Sequence, residues 1–167
     1  MGRIPPPEPQ PELVALTTPP GGRPPITISA LAHCEPLLGP FLGWAAALAL
    51  NGVLPKRDHE ILALRAAHNC RSGFEWEEHS SFGRAAGLSE HEIGCIASGV
   101  DPGWSRREQL LLAAADELHR DTAISDRTWR ELTAVARTDE LVEAIYVVGQ
   151  YTMLSMVANV VEGDQPR

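Results

Sequence analysis

Residues 60–88, EILALRAAHNCRSGFEWEEHSSFGRAAGL, decide the fold of this chain. Apolar side chains recur in this stretch at intervals of three and four residues, which is the period of an amphipathic α-helix and differs from the alternation of a strand. The short turn Arg71-Ser72-Gly73 divides the stretch into two helices. The same period continues from Thr27 onward, so we predict an all-α fold.

Turn residues divide the rest of the chain into further helical segments. We predict helices over residues 28–34, 36–51, 56–70, 74–86, 90–98, 106–119, 126–135 and 139–161. Together they make a single-domain helical bundle of about seven or eight helices across residues 26–162. The last helix is the predicted centre of the packing, because apolar residues share one broad face: Leu141, Ile145, Val148, Leu154 and Val157.

The first 25 residues contain most of the prolines, in the runs PPPEPQP and PPGGRPP. Such a segment cannot bury enough apolar surface to offset its ordering entropy, so we predict an extended or disordered arm over residues 1–25. Residues 163–167 are predicted to form a flexible tail. The prolines at positions 5–7 also stand where a secretory signal needs an apolar helix, so we expect a cytoplasmic protein.

The charge balance limits the partners of the chain. It carries 14 Lys and Arg against 22 Asp and Glu, which gives a net charge of −8. This charge opposes phosphate backbones and anionic lipids, so we expect no nucleic-acid partner and no membrane partner. The longest apolar run, residues 37–50, is broken by Pro40 and is too short to span a bilayer, so we predict a buried helix there.

The three cysteines, Cys34, Cys70 and Cys95, are widely spaced. They form no CxxC motif and have no histidine at a zinc-finger interval, which indicates free cytosolic thiols. The chain also has no glycine-rich phosphate loop. We therefore expect neither a metal nor a cofactor.

A helix-capping signal explains part of the central motif. Ser72-x-x-Glu75 has the spacing of a capping box, in which the serine accepts from one backbone amide and the glutamate accepts from the amide of the serine. The same spacing recurs from Ser89 and from Ser105. Capping therefore gives Glu75 a complete structural explanation when it is considered alone.

What distinguishes the first capping box is the residue four positions further on. His79 follows Glu75 at that interval and shares its helix face, whereas Ile96 and Leu112 occupy the equivalent positions after the other two boxes. A carboxylate beside an imidazole is the pairing that general acid and base catalysis uses. The alternative is an ordinary ion pair between neighbouring turns of a helix.

Glu60 is the third candidate. It shares a helical stripe with Leu64 and Ala67, and a buried carboxylate must be paired, hydrogen-bonded or protonated. The alternative is a solvated glutamate in the first turn of its helix, where the helix dipole favours it. Spacing alone does not place Glu60 beside His79, because two helices joined by a short turn run antiparallel.

The region resembles the carboxymuconolactone decarboxylase and alkylhydroperoxidase D superfamily. The resemblance covers roughly residues 29–160 and includes the segments PKRDHEILALRAA, DELHRDTAISDRTW and LVEAIYVVGQYTM. The peroxidase branch carries a glutamate, a CxxC motif and a histidine, and Glu60, Ser72, Glu75 and His79 match that register. Ser72 and Glu75 stand where the two cysteines would be, and the EWxxH form of residues 75–79 is similar to the non-redox members.

The resemblance implies an all-helical subunit that assembles as a trimer or hexamer, with the motif in a pocket near a subunit interface. Glu60, Glu75 and His79 would then face one cavity, and Trp76 or Tyr151 would line it and contact the substrate. Plain core or interface packing is the alternative for both aromatic residues.

Carboxylates and an imidazole suit cofactor-independent proton transfer on a small carboxylated lactone or related metabolite, by decarboxylation, isomerisation or elimination. His79 would be the general acid or base, Glu75 would orient and charge it, and Glu60 would be a second proton-handling or electrostatic group. Arg65 would hold a substrate carboxylate or lie on the helix surface.

Two other functions stay open. Hydroperoxide reduction is disfavoured because it needs an attacking and a resolving thiol close together. A non-catalytic helical protein that binds a ligand or serves assembly is the second alternative. Residues 148–161, VGQYTMLSMVANVV, also lack the Tyr-Gly-Pro segment of true muconolactone decarboxylases, so a different lactone or aromatic degradation intermediate is at least as strongly indicated.

Overall fold

The computed structural model describes residue 4 and residues 25–162, and within them the chain forms eight α-helices and no strand. The helices are α1 (Ile26–Leu31), α2 (Glu35–Asn51), α3 (Lys56–Asn69), α4 (Gly73–Ala85), α5 (Glu90–Ser98), α6 (Arg106–Asp121), α7 (Asp126–Leu132) and α8 (Thr138–Glu162). The predicted all-α class is confirmed. Most of the predicted arm and all of the predicted tail lie outside the described residues.

Contacts divide the chain into two compact units, residues 1–51 with 156–167 and residues 52–155. The described part of the first unit comprises α1, α2 and the end of α8. Its small core contains Ala32 and Leu38, with Ile28, Leu31 and Leu42 packed against them. In α2 only Leu38 and Leu48 are buried, so the prediction of a buried helix over residues 37–50 is wrong.

The second unit is built around α3, which contacts α4, α5 and α6. Nine of the 14 residues of α3 are buried, which makes this helix the centre of the unit. A core cluster forms on one of its sides: Ile61, Leu64, Leu88, Ile93, Cys95, Ile96 and Trp104. The cluster fixes α3 against the following helices and so determines where its polar residues point.

Helix α8 is less central than its apolar composition predicts. Leu141, Val148 and Tyr151 are buried, but Ile145 is 38% exposed and Met153 is 44% exposed. By length and composition alone α8 is also apolar enough to cross a membrane, a test that the core helix of a soluble protein passes as well. The helix therefore presents one buried face and one exposed apolar face.

Arg107 of α6 holds two acidic residues together. Its guanidinium lies 2.6 Å from Asp58 Oδ2 and 3.1 Å from Glu140 Oε1, and both carboxylates are buried. Burial nevertheless raises the pKa of the Asp58 carboxyl, because the loss of hydration outweighs the attraction of Arg107. This network ties the starts of α3, α6 and α8 to one another.

Candidate active site

The α3–α4 hairpin brings Glu60 and His79 to nearly the same level. Glu60 lies only slightly further from the end of α3 than His79 lies from the start of α4. At a rise of about 1.5 Å per residue, their levels differ by roughly 4–5 Å, which is less than one helical turn. Spacing in the sequence left this pairing open, and the hairpin geometry accounts for it.

Glu60 and His79 form a buried hydrogen bond. His79 Nδ1 lies 2.7 Å from Glu60 Oε2, and the two side chains retain only 6% and 11% of their exposure, respectively. A carboxylate accepts only, so Nδ1 carries the proton that is donated to it. This bond fixes the imidazole so that Nε2 faces away from Glu60.

Glu75 occupies the other side of the same imidazole. Its Oε2 is 3.7 Å from His79 Nε2, and the Glu75 side chain is 4% exposed. This separation is longer than a hydrogen bond and is an ion-pair distance only when the imidazole is protonated. His79 thus lies between two buried carboxylates, one bonded to Nδ1 and one close to Nε2.

The capping box predicted for Glu75 is only half formed. Ser72 Oγ accepts from the Glu75 amide at 3.3 Å, but the Ser72 amide donates to the carbonyl of Ala67 at 3.0 Å. The helices that follow Ser89 and Ser105 do have complete boxes. The Glu75 carboxylate is therefore not used as a cap and instead faces His79.

Burial changes the acidity of Glu75. Loss of hydration raises the pKa of the Glu75 carboxyl from an ordinary 4.5 to about 7, an effect that His79 opposes and Glu78 reinforces. At neutral pH this carboxyl is close to the midpoint of its titration. A group in that condition can both donate and accept a proton, which is what acid and base catalysis requires.

Tyr151 packs against this cluster and links it to a second histidine. Its ring centroid is 4.1 Å from that of His79, with the two planes inclined by 69°. Its hydroxyl lies 3.0 Å from Nε2 of His59. Burial raises the pKa of the Tyr151 phenol above its ordinary 10, with Glu60 and Glu75 adding to the rise.

Sequence analysis did not identify His59. It is buried beside Glu60, and burial lowers the pKa of its imidazole despite the nearby carboxylate of Glu60. The available signal was the Asp58-His59-Glu60 triplet, in which three polar residues directly precede the apolar run of residues 61–64. All three side chains are enclosed because each meets a partner from a later helix.

Trp76 and Arg65 have their contacts elsewhere. Trp76 packs against the core cluster around Ile61, and its ring centroid is 6.1 Å from that of His68. Arg65 pairs with both oxygens of Asp116, at 2.6 and 2.8 Å. The structure therefore places neither side chain against His79, and their assignment to substrate binding stays a prediction.

Arg65 and Asp116 instead line an open cleft of about 270 Å³, together with Trp104, Gln109 and other residues of the core cluster side. Neither Glu60, Glu75 nor His79 lines this cleft. This cleft is therefore not the cavity that we predicted around Glu60, Glu75 and His79.

The three cysteines differ in burial. Cys34 is exposed, Cys70 is partly buried and Cys95 is buried, and none of the three is in a disulfide. Burial raises the pKa of the Cys70 thiol, although Thr152 and Ser155 oppose the rise. Among residues 25–162, no group of three or more His, Cys, Asp or Glu side chains is arranged to hold a metal ion.

These features define a class: an all-helical protein whose buried centre holds an imidazole between two carboxylates. A model of the Carboxymuconolactone decarboxylase family matches residues 40–117. This match supports the resemblance to the carboxymuconolactone decarboxylase and alkylhydroperoxidase D superfamily that the sequence indicated. The place of the chain in the EWxxH branch stays a prediction.

A solved structure of similar fold comes from Agrobacterium tumefaciens, from a protein of unknown function proposed to be the antioxidant defence protein AhpD. The similarity has a TM-score of 0.71 at 19% sequence identity and covers 82% of this chain and 95% of that one. At this identity the likeness concerns the fold alone. No curated protein matches the sequence.

Proposed function

We propose that the chain is a cofactor-independent acid and base enzyme of the carboxymuconolactone decarboxylase-like type. Its substrate would be a small carboxylated lactone or a related metabolite, converted by decarboxylation, isomerisation or elimination. The observation that carries the proposal is the position of the Glu75 carboxyl, which does not cap its helix and is buried 3.7 Å from His79 Nε2. Burial at that position raises the pKa of the carboxyl to about 7. The peroxidase branch of the superfamily that the sequence resembles has a cysteine at this position.

The geometry favours roles for the two carboxylates that differ from those expected from the sequence. Glu60 accepts from His79 Nδ1 and therefore orients the imidazole, whereas Glu75 lies at the side of Nε2, where protons can be exchanged. In the proposed step, His79 Nε2 removes a proton from a carbon next to a carbonyl. The neutral Glu75 carboxyl then returns a proton to the resulting enolate, and passage of the proton on His79 Nε2 to Glu75 restores both groups.

The same pair serves a decarboxylation. Loss of carbon dioxide from a β-keto acid or carboxylated lactone leaves its electron pair as an enolate or dienolate, which must be protonated on carbon. The Glu75 carboxyl supplies that proton and regains one from solvent through His79. The low dielectric around these buried side chains strengthens their interaction with the developing charge.

Deuterium exchange tests this proposal without knowledge of the natural substrate. The purified protein is incubated in D₂O with a panel of carboxylated lactones and β-keto acids, while loss of C–H signals and of the carboxyl group is followed by NMR. We expect catalysis with at least one compound and a loss of at least about 100-fold in Glu75→Gln and in His79→Gln.

Glu77→Gln is the matched control, because Glu77 lies on the same helix and is exposed. This variant should retain full activity. A panel on which the wild type has no effect, or Glu75 and His79 variants that equal the wild type, would overturn the proposal. Binding of a panel compound without conversion would support the ligand-binding alternative, and turnover of a hydroperoxide that Cys70→Ser abolishes would support the peroxidase alternative.

We further propose that the protein is a cytoplasmic homo-oligomer, a trimer or hexamer, with no nucleic-acid or membrane partner. The exposed apolar side chains of α8 support an assembly, since Val142 is 45% exposed, Tyr146 is 55% exposed and Met153 is 44% exposed. Light scattering coupled to size-exclusion chromatography measures the mass. A monomer at micromolar concentration would contradict this proposal.

A further inference from the structure

Two aromatic rings lie close to the His79 imidazole, and they differ in burial. Phe82 has its ring centroid 5.6 Å from that of His79 but is 54% exposed, whereas Tyr151 is closer, at 4.1 Å, and is 8% exposed. A half-exposed ring retains freedom to move, so it restrains its neighbour weakly. Of the two rings, Tyr151 is therefore the one that restricts rotation of the His79 imidazole, in addition to the hydrogen bond that His79 donates to Glu60.

Tyr151 is itself held at its far end by His59. The hydroxyl and Nε2 are 3.0 Å apart, although the two residues are 92 positions apart in the sequence. The rings also meet edge to face, with centroids 5.6 Å apart. His59 is 4% exposed, so neither partner has water as a ready substitute for this bond, and its loss would leave a buried polar group unsatisfied.

We propose that His59 is a positioning residue that acts through Tyr151 on His79. The bond between His59 and Tyr151 fixes the phenol ring, and the ring keeps the His79 imidazole in the orientation that directs Nδ1 to Glu60 and Nε2 to Glu75. The inference rests on the proposed function, because the orientation of Nε2 is what the proposed proton transfer uses.

The orientation has a consequence that can be measured without a substrate. His79 lowers the pKa of Glu75 by its charge, against the larger effect of burial. A His79 ring that is free to turn away lowers it less. Loss of the His59–Tyr151 bond is therefore expected to move the titration midpoint of the Glu75 carboxyl upward from about 7.

Four variants separate positioning from packing. Tyr151→Phe keeps the ring but removes the hydroxyl, and His59→Leu removes the bond at similar volume. His59→Gln places an amide near the former Nε2 and restores a partner for the phenol. Tyr146→Phe, at an exposed tyrosine of the same helix, controls for the loss of a phenol elsewhere.

The titration of the Glu75 carboxyl is followed by ¹³C NMR in each folded variant. We expect an upward shift of about half a pH unit or more in Tyr151→Phe and His59→Leu, from the loss of one hydrogen bond. His59→Gln and Tyr146→Phe should titrate like the wild type. A Glu75 midpoint that is unchanged in His59→Leu, or equally shifted in His59→Leu and His59→Gln, would overturn the inference.

The same variants enter the deuterium-exchange assay, and the two proposals fail differently. Should Glu75 shift as expected while no panel compound is turned over by the wild type, the positioning role stands and the proposed function falls. Turnover by the wild type with an unshifted Glu75 in His59→Leu leaves the function standing and removes the positioning role.

Discussion

The buried carboxyl of Glu75 should make the stability of the protein depend on pH in a defined direction. The change to test is Glu75→Gln, which keeps the size of the side chain and a neutral polar group but removes the titration. The Glu75 side chain is 4% exposed and lies 3.7 Å from His79. The variant therefore reports on one buried ionisation with little change in packing.

The direction of this pH dependence follows from the pKa of Glu75 in the folded and in the unfolded protein. Folding raises it from 4.5 to about 7, so the folded protein keeps a proton that the unfolded chain loses above pH 4.5. The stability that this proton contributes is fully present below pH 4.5 and is lost as pH rises through 7. Above pH 7 the ionised carboxyl costs the folded state about 3 kcal/mol.

Glutamine carries no such cost at any pH. The free energy of unfolding of Glu75→Gln relative to the wild type should therefore increase by about 3 kcal/mol between pH 4.5 and pH 8. Each value comes from urea unfolding followed by far-ultraviolet circular dichroism. Protein concentration is held constant, because assembly of subunits would shift apparent stability.

Glu77→Gln, on the exposed side of the same helix, is the control and should show no such trend. A difference between Glu75→Gln and wild type that stays constant from pH 4.5 to pH 8 would mean that the carboxyl titrates near its ordinary value. A difference that falls with pH would mean that the ionised form is stabilised in the folded protein. Either result would refute the reasoning and remove the main support for the proposed function.

Three further predictions concern stability and use the same unfolding assay. Arg107→Leu should lose about 3 kcal/mol or more, because it leaves the buried carboxylates of Asp58 and Glu140 without their cation; an unchanged midpoint would contradict this. Thr122→Gly should gain about 1 kcal/mol, since Thr122 has a left-handed φ of 56°, and a loss would show that its side chain matters more. Ser89→Ala should lose about 1 kcal/mol with its complete capping box, and no loss would mean that the box is unimportant.

Much of the fold could be predicted from the sequence, because its apolar residues recur with the period of an α-helix. The predicted helix over residues 90–98 matches α5 at both ends, and the others agree within a few residues. The seventh helix ends at Leu132 instead of residue 135, where the chain continues as a turn. Periodicity identifies which residues turn inward, but it does not identify the final residue of a helix.

The period was less informative about which helix is central. Helix α8 has the apolar composition of a core helix, yet it exposes Ile145 and Met153. Helix α3 begins with charged and polar residues, but Asp58, His59 and Glu60 are all buried. Burial of a polar start depends on partners from distant parts of the chain, such as Arg107 for Asp58, and local patterns do not contain them.

The candidate site shows the same limit. Glu75 and His79 were identified from a spacing of four residues within one helix, and their proximity needed no tertiary information. Placing Glu60 beside His79 required the geometry of the hairpin between α3 and α4. Including His59 required its contact with Tyr151, which lies 92 residues further along the chain. The Ser72 capping box was predicted from spacing alone. In the tight turn between the two helices, the Ser72 amide instead donates to the carbonyl of Ala67.

The half-formed box connects the fold to the proposed chemistry. In the peroxidase register a cysteine occupies the position of Glu75, and a thiol is a group whose proton is labile not far above neutral pH. A solvated glutamate would not share that property, whereas the buried Glu75 regains it because its pKa is about 7. Had its carboxylate completed the box at Ser72, the amide would have stabilised the ionised form and lowered the pKa. The turn that takes the Ser72 amide away from Glu75 is thus the local feature on which the proposed acid and base role of this residue depends.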